Sequence, residues 1–111
     1  MTNKLNVDLL TKDMALAAKE TFGKQWPEIR EFAKTEMKLI AEGLVTIKIL
    51  YASQQISRQQ ARLLIDMKKN AAEIIMLSVK GMSELMVEQA INAALDVIRT
   101  TVNKSLKFAL L

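Results

Sequence analysis

Twelve carboxylates and sixteen Lys or Arg side chains carry nearly all the ionic chemistry open to this 111-residue chain, which contains neither His nor Cys. That absence removes thiol nucleophiles, disulfides, zinc-finger and imidazole metal sites, and every triad that relies on a His base. Among the carboxylates, Glu84 and Glu88 sit one helical turn apart, and Glu36 and Glu42 share a face less well. Such pairs could offer oxygen ligands to a hard cation. Carboxylate metal centres in helical bundles, however, generally add a Glu-x-x-His element, which this chain cannot build. General acid-base work needs a carboxyl held close to its substrate, and no spacing here marks a buried pair. The glycines at 23, 43 and 81 stand alone, so no phosphate-cradling loop can form from them. The expectation is a protein that is not an enzyme, with no catalytic, cofactor-binding or metal site and no evident small-molecule substrate.

The cations give a formal charge of +4, whose sign favours anionic partners. They are spread along the chain, mostly with an acid three or four residues away, as on solvated helix faces. Arg58, Arg62, Lys68 and Lys69 come nearest to a basic patch, but Asp66 and Glu73 interleave with them and the chain has only five aromatic residues. Nucleic acid is therefore a disfavoured partner. Trp26, directly before Pro27, reads as a packing clamp where a helix begins. Met67, Met76, Met82 and Met86 read as gap-fillers of a core, with an adaptable contact surface as the other use of such a row.

The elements that must position these groups are helices. Half of the residues are apolar and a quarter charged, with three Gly and one Pro, too few turn residues for a many-stranded fold. The length suits a single domain, 1–111. A first helix is predicted over about 7–22, with Asn6 as its cap and Gly23 as its stop. Pro27, followed by Glu28 and Glu31, opens a second helix that runs to about Ser53 and spans about 40 Å. Ser57 and Gln60 form a capping-box signature for a third run, 58–107. Unbroken, that run would be about 75 Å long. A polar stripe through Arg58, Arg62, Asp66, Lys69, Glu73, Lys80, Glu84, Glu88, Asn92, Asp96 and Arg99 keeps its phase past Gly81 and favours continuity. The opposing reading ends one helix at Lys80, turns at Gly81 and caps the next with Ser83. The fold class is thus all-α, an antiparallel helical hairpin or a bundle of three to four helices. It has a long C-terminal helix with a possible break or kink at Gly81.

The last third carries an excess of apolar surface, from Ile74 through Val102, that one narrow stripe cannot hold. A small domain has few elements with which to cover it, so the economical expectation is a homo-oligomer. Leu85, Met86, Ile91, Leu95, Ile98, Val102 and Leu106 are the expected interface residues. The tail Phe108-Ala109-Leu110-Leu111 either adds to that interface or docks to complete a core. The expected function is a non-enzymatic, self-assembling structural or interaction protein. The alternative is an amphipathic helical protein that binds a lipid interface or forms pores. No apolar stretch approaches the roughly 18 residues of a membrane-spanning helix. The first ten residues lack a signal peptide's basic and apolar segments, so an intracellular place, cytoplasmic or within an assembled particle, is expected.

Overall fold

Each helix begins and ends at a residue whose chemistry accounts for it. In the computed structural model, which describes residues 5–111, α1 spans Val7–Phe22, α2 Trp26–Ala52, α3 Arg58–Leu77 and α4 Glu84–Leu106. Lys4 and the opening of the stretch tested above for a signal peptide lie outside the described residues. Asn6 caps α1 by accepting from the Leu9 amide at 3.1 Å. Gly23 stops α1 in a positive-φ conformation (φ 54°) that other residues adopt only with strain. A single 3-10 turn, Gly23–Gln25, then reverses the chain into α2, whose first turn holds Pro27 and Glu28. The capping box at α3 is complete: the Gln60 amide donates to Ser57 Oγ at 3.1 Å, and the Ser57 amide donates to Gln60 Oε1 at 2.8 Å.

The run 58–107 is two helices, not the continuous one that the polar stripe favours. α3 ends at Leu77, Gly81 takes φ +90°, and Ser83 adopts an extended backbone and accepts from the Met86 amide at 3.1 Å. The left-handed glycine and the serine cap together outweigh the single-helix alternative, which would leave a glycine inside a helix at a cost of about 1 kcal/mol. The stripe kept its phase for another reason. Asp66 and Lys69 of α3 line one shallow groove with Asn92, Asp96 and Arg99 of α4, and Lys69 and Glu73 line the next with Glu88 and Asn92. The stripe folds back on itself, so that its two halves face each other across the α3–α4 seam.

The helices form an up-and-down bundle with short connections, its long axis of 42 Å set by the 27-residue α2. α4 packs chiefly on α1, and α2 packs on both α1 and α3, while the α3–α4 seam is the looser one. Small residues permit the close α1–α4 approach: Ala17 and Ala18 on one helix, Ala90 and Ala94 on the other, are all buried. Larger side chains fill the centre, with Met14, Ile29, Met37, Ile40, Leu44, Met76, Val87, Ile98 and Val102 excluded from solvent. Trp26 is buried and stacks on Phe22 with ring centroids 6.4 Å apart, closing the α1–α2 end.

Candidate functional site

Most of the residues expected to form an interface between chains lie instead inside this one. Ile91, Leu95, Ile98, Val102 and Leu106 are buried on the inward face of α4. They cannot meet a second chain while the bundle is closed. Met86 is half-buried, and only Leu85, 65% exposed, is on the surface. The apolar excess of the last third has two sources that periodicity alone could not separate. α4 is covered by α1, and the C-terminal tail docks rather than extends. Asn103 Oδ1 accepts from the amides of Leu110 and Leu111 at 2.9 and 3.0 Å, and Phe108 and Leu110 are buried.

A continuous exposed apolar strip lies on α3, while Leu9, Leu16, Ile49, Leu85 and Val97 are exposed on the other helices. The inward face of α3 is Ala61, Ile65, Ala72 and Met76, all buried. Its outward face carries Leu63, Met67 and Ile74, which are 61%, 58% and 68% exposed. These share one side of the helix with Gln60, Asn70 and Ala71, and that strip, about 21 Å long, contains no charged residue. The charges of α3 stand at its edges, with Arg62, Asp66, Lys69 and Glu73 toward α4 and Lys68 toward α2. At the α2 edge the Lys68 stem lies against Gly43, where a Cβ would come within 3.3 Å of it. Phe32 and Leu39 recur on the same stripe of α2 as Gly43, and Ile75 follows Lys68 by two turns. All three are exposed and widen the apolar surface at the α2–α3 groove. Met67 is the methionine that serves a surface, whereas Met76 fills the core.

A second feature is electrostatic. Between α1 and α2 runs an open cleft of about 500 Å³ lined by Lys12, Lys19, Arg30, Lys34 and Lys38, with Asp8 as its one carboxylate. That local balance equals the whole formal surplus of +4, so the remainder of the chain is neutral. Along α2 the three cations recur every four residues, about 6 Å apart. Arg30 also pairs with Glu31 at 3.4 Å, both well exposed, which holds it only weakly. Leu16 lines the cleft, and Leu9, two turns before it on the same side of α1, is exposed. Read along the sequence, these cations look spread out and locally paired; only the α1–α2 reversal at Gly23 gathers them.

Glu36, one of the carboxylates weighed above as a ligand, is 8% exposed on α2. Burial pushes its carboxyl above the ordinary 4.5, against a smaller opposing pull from Lys68. Glu42 is exposed, as are Glu84 and Glu88. Among the described residues no group of three carboxylates is placed to hold a metal ion, and no helix is long and apolar enough to cross a membrane. Comparison with protein families, with characterised proteins and with solved structures found no match to this chain.

Proposed function

We propose that the protein is a non-enzymatic assembly subunit whose partner is a second copy of itself, joined through the outward face of α3. The observation that carries this reading is the uncharged strip of Leu63, Met67 and Ile74, extended by Phe32, Leu39 and Ile75. Depletion of charge at an exposed apolar centre, with polar groups at the margin, is the composition of a protein interface. A strip without charge is compatible with its own image, so two α3 helices related by a two-fold axis meet without like-charge repulsion. Cations concentrated in the α1–α2 cleft stay on another face and keep the assembly soluble. The test is to place a carboxylate in the strip. Ile74→Asp should give a folded monomer under conditions where the unmodified chain sediments as a dimer. An unmodified chain and variant of equal mass would overturn the reading.

A second reading, binding to an anionic lipid surface, is favoured by the α1–α2 cleft. Lys12, Lys19, Lys34 and Lys38 flanking Leu9 and Leu16 combine positive charge with exposed apolar side chains, as interfacial helices do. Neutralising Lys34 and Lys38 together should reduce sedimentation with phosphatidylglycerol vesicles if this reading holds, while leaving the self-association of the α3 strip unchanged.

A further inference from the structure

A further cleft lies where the α2–α3 connection meets the end of α4, and encloses about 820 Å³. We propose that it binds the phosphate group of a small soluble molecule. Its size falls within the range of small-molecule sites, roughly 300 to 1,000 Å³. Lys48, Arg58 and Lys107 line it and no carboxylate does.

Arg58 is held in place by neutral groups. Its Nε donates to Tyr51 Oη at 3.0 Å, and its guanidinium stands 5.3 Å from the centroid of Phe108. Tyr51 in turn packs on Phe108 with ring centroids 4.6 Å apart. Arg62 approaches the same ring at 5.7 Å and donates to the Ala109 carbonyl at 3.3 Å. Two guanidiniums on one ring repel each other, and neither has a carboxylate partner. Arg58, Arg62 and Lys107 therefore concentrate positive charge at this end of the bundle.

With Nε occupied by Tyr51, the two terminal nitrogens of Arg58 remain to donate, a planar fork matched to phosphate oxygens. Lys107 adds a second charge from the left-handed position that ends α4, with φ 67°. Gln54, also at positive φ and also lining the cleft, contributes an amide donor. A doubly charged phosphate satisfies this set better than a single carboxylate does, because several cations and no acid converge there. Ile56 and Leu106 supply apolar wall for the rest of the ligand.

Inorganic phosphate titrated into the full chain at constant ionic strength, read by calorimetry against chloride, is the direct test. Saturable one-to-one binding is expected, weakened at least about tenfold by Arg58→Gln and also reduced by Lys107→Gln. Lys80→Gln, an exposed charge outside the cleft, should change it by no more than about a factor of two. Helical circular dichroism of each variant shows that the fold persists, and both cleft residues are exposed enough for it to do so. Phosphate heats indistinguishable from chloride would overturn the proposal, as would an equal loss in Lys80→Gln. Capture by phosphatidic acid vesicles without binding of free phosphate would overturn it in favour of a lipid headgroup.

Discussion

Ser83 and Gly81 decide the topology of the second half of the chain, because they divide one apolar run into two helices. Ser83→Ala removes the hydrogen bond to the Met86 amide and should cost about 1 kcal/mol of stability by urea denaturation. Gly81→Ala, at φ +90°, should cost at least as much through backbone strain. Glu36 makes a prediction in pH. Its folded pKa is raised, so its favourable contribution is full below pH 4.5 and is lost as pH rises through the folded value. Glu36→Gln should therefore abolish that loss and gain on the unmodified chain between pH 4 and pH 7. Denaturation midpoints for the two proteins at both pH values check the sign. Several local signals were legible from residue types alone: Asn6, Gly23, Pro27 and the Ser57–Gln60 box lie where the chain begins and ends its helices. Gly81 was not, because the same letter serves a tolerated helix interior and a left-handed stop, and the polar stripe keeps its phase on both sides of it.

Among the elements, α4 and α3 exchange the roles that hydrophobicity suggests. α4 is the more apolar to the eye but is covered by α1 and the docked tail, whereas α3, with charges along its edges, keeps an apolar outward face. Two substitutions on α4 separate burial from surface. Leu95→Asp places a carboxylate in the core and should unfold the bundle, a loss of about 4 kcal/mol or more. Leu85→Asp, on the exposed side, should stay within about 0.5 kcal/mol of the unmodified chain. Thermal melts followed by circular dichroism distinguish them directly. The all-α class and the helix ends were readable because caps and 3.6-residue periodicity are local properties. The facing of each helix was not, since a helix apolar on two sides gives the same pattern whether the second side meets a neighbour or water. For the same reason the polar stripe through Asp66, Glu88 and Asp96 suggested one long helix, although its halves meet across the α3–α4 seam.

For the molecule as a whole, surface chemistry is segregated: an uncharged apolar strip on α3, a basic cleft between α1 and α2 that carries the net charge, and a second cationic cleft at the α2–α3 end. None of these could be assembled from sequence neighbours, because each joins residues from different helices or from the face opposite a core stripe. Segregation of this kind predicts that assembly and anion binding respond to different variants. Met67→Asp should abolish self-association and leave phosphate binding intact, whereas Arg58→Gln should do the reverse. The measurement that bears most directly on the proposed function is the solution mass of the unmodified chain by light scattering over a concentration series. Association through α3 predicts a mass approaching twice the 12.5 kDa of one chain as concentration rises, reverting to a single chain in Met67→Asp. A mass of 12.5 kDa throughout, or a dimer that Met67→Asp leaves intact, would contradict it.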